Sequence, residues 1–268
     1  MLAEWFKHLR TPAPPLLKAM GYVKELIAVE ARHRRCAGAW APHLETCRKL
    51  ILDGARDAGH GRVTVLGSGL LLDVPVDELV GLFKEVILVD IFHMPATQVR
   101  VRAHANVRLV SADVTGVVEA TWNHVAAGRD GPLPPPQADA SAYADSDLVV
   151  SANLLTQLPL LPLGLVQEKG RGYGEEETQA FARRIVENHL ELLAALPGRV
   201  TVLTETRRVI CDGPEVLHEI DPLFGAALPA AAVRKHWTWN IAPRPEVSRK
   251  FDLRFRMTGI PDLQAVLP

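Results

Sequence analysis

RVTVLGSG, residues 62–69, decides the fold of this chain together with VILVDI, residues 86–91. The first stretch is a β-branched apolar run that stops at a Gly-x-Gly turn, and the second is an apolar run that stops at Asp90. This order predicts a strand, a glycine turn, a helix and a second strand ending in an acid. Glycines let a ligand approach the backbone closely, and the acid can accept hydrogen bonds from the hydroxyls of a ribose. The two stretches therefore predict a site for a ribose-bearing ligand.

The composition limits which partners and which location are expected for this protein. With 268 residues, of which 48% are hydrophobic, the chain is long enough to bury a full core. A net charge of −1 gives no general attraction to nucleic acid or to anionic membranes, so neither is expected as a partner. The three cysteines are odd in number and lack metal-like spacing, so we expect reduced thiols in a cytoplasmic protein. No run of about 18 apolar residues occurs, so no stable membrane insertion is expected.

The spacing of apolar residues changes near residue 60, from a helical pattern to alternating strands and helices. Residues 1–60 have apolar side chains at helical spacing and are predicted to form an N-terminal helical extension, whereas residues 61–268 are predicted to form one Rossmann-like domain. The predicted helices cover 2–9, 16–31, 43–58, 76–84, 117–126 and 175–196, and 96–103 is predicted as a short helix or a turn. The predicted strands cover 63–66, 86–89, 107–110, 148–151 and 199–204. Several of the strand runs are continuously apolar, which fits strands buried on both faces of a parallel sheet.

The C-terminal part has a different pattern. Residues 236–241 and 251–257 are aromatic, and the second run alternates apolar with charged side chains, which predicts an antiparallel pair of strands at a sheet edge. The predicted fold class is therefore α/β. It comprises a doubly wound, mostly parallel seven-stranded sheet with an antiparallel C-terminal edge and an N-terminal helical extension.

The turn after the first strand narrows the choice of ligand. A dinucleotide fingerprint would have a third glycine where Leu72 stands, and the helix begins late, near Pro75, so NAD and FAD are disfavoured. A phosphate-binding loop is absent as well, because no Gly-Lys-Ser/Thr follows the turn. A ligand with a ribose and an adenine but no phosphates fits better, with Asp90 at the ribose hydroxyls and Asp113 facing the adenine amine. S-adenosylmethionine is such a molecule, and we expect it as the cofactor.

Residues 62–158 resemble the class I S-adenosylmethionine-dependent methyltransferases of the small-molecule branch. RVTVLGSG is similar to the first motif of that family, VILVDI to the second, SADVTG (111–116) to the third and DSDLVVSANLLTQLP (145–159) to the fourth. The resemblance implies a Rossmann-like fold and methyl transfer to an oxygen or nitrogen atom of a small or medium-sized metabolite. The fourth motif lacks Asn-Pro-Pro-aromatic, which argues against an amino-group nucleic-acid methyltransferase.

The first motif departs from the family pattern at two positions. Val65 stands where the family often has an acid that helps to organise the methionine moiety, and Leu71 stands where it has a third glycine. Two other functions therefore stay open. The chain could be a catalytically degenerate methyltransferase-like scaffold that binds a partner, or a Rossmann-like enzyme that uses another nucleoside cofactor. The oligomeric state is open too, with a homodimer among the alternatives.

Candidate site residues follow from the strand ends and from the resemblance. The cofactor-binding set comprises Leu66, Gly67, Ser68, Gly69, Asp90, Ile91, Asp113, Val114, Ser151 and Asn153. A general base would be His93, just past the second strand, or His236, beside the closing strands, although a lone histidine is more often structural. The substrate candidates are Gln157, Trp237, and Arg171 with Tyr173 on a glycine-rich loop that could act as a lid. No metal site is predicted.

Overall fold

Strands and helices alternate along most of this computed structural model, which describes residues 2–230 and 234–266. The strands are β1 (Arg62–Leu66), β2 (Glu85–Asp90), β3 (Val107–Ser111), β4 (Leu148–Ala152), β5 (Arg199–Asp212), β6 (Glu215–Ile220), β7 (Lys235–Ala242) and β8 (Asp252–Ile260). The helices are α1 (Leu2–Arg10), α2 (Pro15–Met20), α3 (Tyr22–Arg35), α4 (Ala37–Arg56), α5 (Val76–Leu82), α6 (Pro95–Val101), α7 (Val118–Ala126), α8 (Leu160–Lys169) and α9 (Glu175–Ala194). All the predicted strands are present.

One sheet joins these strands in the order β3-β2-β1-β4-β5-β8-β7, and β6 pairs with β5 off this path. Strands β1 to β5 pair in parallel, whereas β8 is antiparallel to both β5 and β7. The predicted α/β class, with its mostly parallel sheet and antiparallel C-terminal edge, is confirmed. The strand order reverses at β1, which lies between β2 and β4, and open α/β sheets bind ligands beyond the carboxyl ends of the strands at such a point.

The hairpin of β5 and β6 was not among the predicted elements, and with β6 the sheet has eight strands rather than the seven predicted. The sequence predicts that the fifth strand ends at residue 204, but β5 continues to Asp212 and turns back into β6. Every residue of β6 is exposed, so the strand carries no core-facing pattern that a sequence could reveal. Helix α8 was also missed, because Pro162 and Gly164 interrupt its helical pattern.

The core lies on both faces of the parallel strands. Val63 and Val65 of β1 are fully buried in a cluster with Ile51 of α4 and Leu79 of α5. Leu66 lies in a second cluster that includes residues of α9 and β5 on the other face. Burial on both faces explains why the strand sequences are continuously apolar rather than alternating.

The N-terminal helices cover the carboxyl end of the sheet. The predicted helix over 16–31 is two helices, α2 and α3, because Gly21 between them has a φ of +96°. Apolar residues of α2 and α3, among them Val23, pack against Phe92 and Met94, which follow β2. The segment therefore forms one wall of the space beyond the strand ends. In the described part of the chain, no helix is both long enough and apolar enough to cross a bilayer.

Candidate functional site

A cleft of about 610 Å³ lies beyond the carboxyl ends of β1 to β4, within the range of roughly 300–1,000 Å³ for small-molecule sites. Its floor comes from the turns after these strands, and its walls come from α3, α4, β5, β7 and β8. Among the predicted site residues, those that line it are Gly67, Gly69, Asp90, Ile91, Asp113, Val114, Asn153 and Gln157. The structure thus brings together residues from four separate sequence motifs.

The glycine turn is built for close approach between backbones. Gly67 has a φ of +79°, and a Cβ there would lie 2.8 Å from the Cβ of Leu154 and 3.1 Å from the carbonyl oxygen of Ala152. Leu71, at the position of the third glycine of the family motif, also takes a left-handed conformation, with a φ of +57°. Its side chain is 1% exposed and belongs to the core cluster of β1. Leu71 therefore has the backbone conformation typical of glycine and also contributes a side chain to the core.

Asp90 ties the second strand to this turn. Its Oδ2 accepts a hydrogen bond of 2.7 Å from the backbone N–H of Gly69, while Oδ1 has only a 3.5 Å contact with the N–H of Phe92. Burial raises the pKa of Asp90, and the Gly69 hydrogen bond opposes that rise. One carboxylate oxygen therefore orders the turn, and the other has capacity left for a hydroxyl donor in the cleft.

Asp113 lines the cleft but is also a structural residue. Its Oδ1 accepts from the backbone N–H and the hydroxyl of Thr115 at 2.9 and 2.6 Å, and its Oδ2 accepts from the N–H of Val118 at 2.9 Å. The bonds to Thr115 order the loop after β3, and the bond to Val118 satisfies the first N–H of α7. A carboxylate can accept about four hydrogen bonds, so Asp113 keeps acceptor capacity for a ligand amine.

Tyr22 of α3 is a cleft residue that the sequence did not reveal. Burial raises the pKa of its phenol, and the negative charges of Asp113 and Asp90 raise that pKa further. The phenol therefore stays neutral in the field of both acids. No local pattern distinguishes Tyr22 from the other residues of an amphipathic helix, because its role depends on how α3 crosses the sheet.

Beyond the end of β4, a buried carboxylate faces the cleft. Glu205 of β5 is 5% exposed and accepts from the hydroxyl of Thr156 at 2.7 Å. Arg208 donates to both oxygens of Glu205, with its Nη2 at 2.5 Å from Oε1 and its Nε at 3.1 Å from Oε2. All three residues line the cleft. The bidentate pair holds the Glu205 carboxylate in one orientation and balances its charge.

Aromatic residues form one wall of the cleft. The ring of Trp239 stacks on His43 at 3.9 Å and meets Trp40 and Phe255 edge to face at 4.8 and 5.7 Å. Trp237 lies behind this wall and donates its indole N–H to Nδ1 of His43 at 3.0 Å. The wall offers a rigid apolar surface to the part of a ligand that lies against it.

The remaining predicted site residues lie outside the cleft lining, and these are Leu66, Ser68, His93, Ser151, Arg171, Tyr173, His236 and Trp237. His93 is buried beside β3, with Nε2 at 3.2 Å from the carbonyl oxygen of Val110. His236 is exposed, with Nδ1 at 3.0 Å from the hydroxyl of Thr258. Tyr173 donates to the carbonyl of Gly131 at 2.8 Å, which ties the glycine-rich loop to the segment after α7 rather than to the cleft.

His43, Cys47 and Asp73 place three metal-ligand atoms within 4.8 Å of one another. An indole nitrogen is only a donor, so the hydrogen bond from Trp237 leaves the neutral His43 ring with its hydrogen on Nε2. Burial lowers the pKa of His43 to about 3 and raises the pKa of the Cys47 thiol. The three groups as they stand form a buried polar cluster, in which Nδ1 of His43 is engaged by the Trp237 indole and the Cys47 thiol is protonated.

Comparisons with known proteins find similar chains among solved structures. No family model matches the chain, and no curated protein matches it. The chain is similar to the N-methyltransferase NodS from Bradyrhizobium japonicum in complex with S-adenosyl-L-homocysteine, with 11% identity over 81% of this chain and 87% of that chain, and a TM-score of 0.37. It is similar to DhpI in its SAH complex, with 16% identity over 87% of this chain and 93% of that chain, and a TM-score of 0.34. It is also similar to the 1,6-didemethyltoxoflavin-N1-methyltransferase of Burkholderia thailandensis, with 16% identity over 88% of this chain and 89% of that chain, and a TM-score of 0.33.

Proposed function

We propose that this chain is an S-adenosylmethionine-dependent methyltransferase that acts on an oxygen or nitrogen atom of a small or medium-sized metabolite. The observation that carries the proposal is the hydrogen bond of 2.7 Å between Asp90 and the backbone N–H of Gly69. It joins the end of β2 to the turn after β1 at the point where the strand order reverses. The two sequence motifs for a ribose-bearing ligand are therefore one physical unit.

The cleft residues fit the parts of this cofactor. Asp90 would accept from the ribose hydroxyls beside Tyr22, and Asp113 would accept from the adenine amine. Gly67 and Asn153 would lie along the methionine moiety. A pyrophosphate fits less well, because α5 begins only at Val76 and places no helix N-terminus directly after the glycine turn.

S-adenosylmethionine supplies an activated methyl group for in-line displacement. The protein then has to orient the acceptor, exclude water and, for some acceptors, accept a proton. The wall of Trp40, Trp239 and Phe255 would bury the apolar part of the acceptor. Glu205, held by Arg208 and Thr156, would accept a hydrogen bond from it. A cleft of about 610 Å³ leaves room for a small acceptor beside the cofactor.

Calorimetric titration with S-adenosylhomocysteine tests the proposal. We expect the wild-type protein to bind it and Asp90→Ala to lose at least about 10-fold in affinity, because two hydrogen bonds to a charged acceptor are removed. The exposed acid Asp77 offers a matched control, and Asp77→Ala should bind like the wild type. Folded wild-type protein that gives no heat at high micromolar ligand would refute the proposal.

Native mass spectrometry of the purified protein separates this function from the alternatives. A retained adenosyl ligand supports methyl transfer, and a different retained nucleoside supports another Rossmann-like enzyme. The same spectrum reports whether the chain is a homodimer. We further propose a cytoplasmic location, which the three buried free thiols, Cys36, Cys47 and Cys211, support.

A further inference from the structure

Asp73 is an acid of the cleft whose charge the protein leaves unbalanced. It lies on the loop between the glycine turn and α5, and it lines the cleft. Within residues 2–230 and 234–266, no lysine, arginine or histidine forms an ion pair with it. The guanidinium of Arg48 acts on it only from a distance and donates instead to the carbonyl oxygen of Leu72. Burial raises the pKa of Asp73, as expected for a carboxylate without a counter-ion.

Asn153 adds a second acceptor beside this carboxylate. Its Nδ2 donates to Oδ2 of Asp73 at 2.6 Å, and this bond fixes the orientation of the amide. The Oδ1 of Asn153 is buried and has no hydrogen-bond partner. The residue itself takes a left-handed conformation, with a φ of +51°, at the end of β4. A carboxylate and an amide oxygen thus lie together without enough donors, an arrangement that is costly unless a ligand supplies them.

This pair lies at the glycine-turn end of the cleft. Ala152, which precedes Asn153, has its carbonyl oxygen only 3.1 Å from the position that a Cβ on Gly67 would take. Val65, where the family motif often has an acid, is fully buried among apolar residues of the core. An acid is therefore missing from β1, and one is present on the loop that follows the turn.

We propose that Asp73 and Asn153 form a binding site for a primary ammonium group, the α-ammonium of the methionine moiety of the cofactor. Asp73 thereby takes over the task of the acid missing at position 65. The inference rests on the proposed function and identifies the residues that recognise the charged end of its cofactor. An ammonium offers three donors, which matches a carboxylate and an unsatisfied amide oxygen.

The ammonium group could instead belong to a methyl acceptor that carries a primary amine. The experiment distinguishes this acceptor from the cofactor. Calorimetry would use S-adenosylhomocysteine and its analogue without the α-amino group, on the wild type and on Asp73→Asn. We expect Asp73→Asn to weaken binding of S-adenosylhomocysteine about 10- to 100-fold, as for loss of a charge-assisted hydrogen bond. Binding of the deamino analogue should change less than about 3-fold.

Asn153→Gly provides a second variant, since glycine accepts the left-handed backbone and only the amide is lost. It should show the same selective loss, while Asp77→Asn, an exposed acid on the next helix, should show none. Thermal melting checks that each variant is folded. Equal losses for both ligands, or no loss for either, would overturn the ammonium site and leave cofactor binding intact. Wild-type protein that binds neither ligand would overturn the proposed function, and the ammonium site with it.

Discussion

Leu71 serves both the hydrophobic core and the glycine turn after β1. Its backbone is left-handed, with a φ of +57°, which costs a non-glycine residue roughly 1–2 kcal/mol. Its side chain is 1% exposed, and burial of a leucine is worth about as much or more. A missing glycine in a sequence motif therefore does not imply a missing turn, because packing can hold another residue in the same conformation.

Leucine substitutions test this balance. We expect Leu71→Ala to lower the free energy of unfolding by about 2–5 kcal/mol, through loss of a buried side chain. Leu71→Gly should be more stable than Leu71→Ala by about 0.5–1 kcal/mol, because glycine relieves the strain. Denaturant unfolding measures both. Leu79 in α5 is the control, since it is also buried but helical, and there glycine should be less stable than alanine by about 1 kcal/mol.

At the scale of elements, the break between α2 and α3 decides how the N-terminal segment covers the cleft. Gly21 caps α2 with a φ of +96° and donates its backbone N–H to the carbonyl oxygens of Leu17 and Lys18 in the last turn of that helix. The turn directs α3 so that Tyr22 faces Asp90 and Asp113. The helical periodicity predicted one helix over 16–31, since a single glycine inside an apolar pattern is compatible with a continuous helix.

Alanine at this position is expected to destabilise the protein. Gly21→Ala should lower the free energy of unfolding by about 1–2 kcal/mol, because of the φ of +96° and not because of crowding, since the nearest atom to the new Cβ is 3.6 Å away. Gly164→Ala, inside α8 with no atom within 4 Å of the new Cβ, should instead raise it by about 0.5–1 kcal/mol. Thermal unfolding compares the two, and shifts of the same sign would contradict the proposed cap.

At the scale of the whole molecule, two buried histidines link folding to pH. Burial lowers the pKa of His43 to about 3 and that of His189 to about 4, both below the ordinary value of about 6.5. Between these values and 6.5 the unfolded chain binds the protons that the folded chain does not, so stability falls as the pH falls. Burial raises the pKa of Asp73 and Asp90, and these acids act in the opposite direction.

The contribution of each histidine is measurable by replacement. Denaturant unfolding of the wild type between pH 6.5 and 4.5 should show a loss approaching about 1.4 kcal/mol per pH unit for each buried neutral histidine, less the opposing effect of the acids. His43→Gln and His189→Gln should each reduce this slope, whatever they do to stability at pH 7. Curves that stay parallel to the wild type would show that both rings are protonated in the folded protein.

Local sequence is enough to predict where the parallel strands lie along the chain, that the C-terminal pair is antiparallel, and which acids and glycines follow the strands. These features depend on local periodicity and turn chemistry, which a run of five to ten residues carries. Tertiary packing brings Tyr22 into the field of Asp90, joins Asp73 to Asn153, and leaves His93 and His236 outside the cleft. Asp73 and Asn153 are 80 positions apart, and such contacts follow from how the helices and loops pack on the sheet. Strand β6 was not predicted because all its residues are exposed. A strand without a buried face has no alternation of apolar and polar residues that a sequence could show.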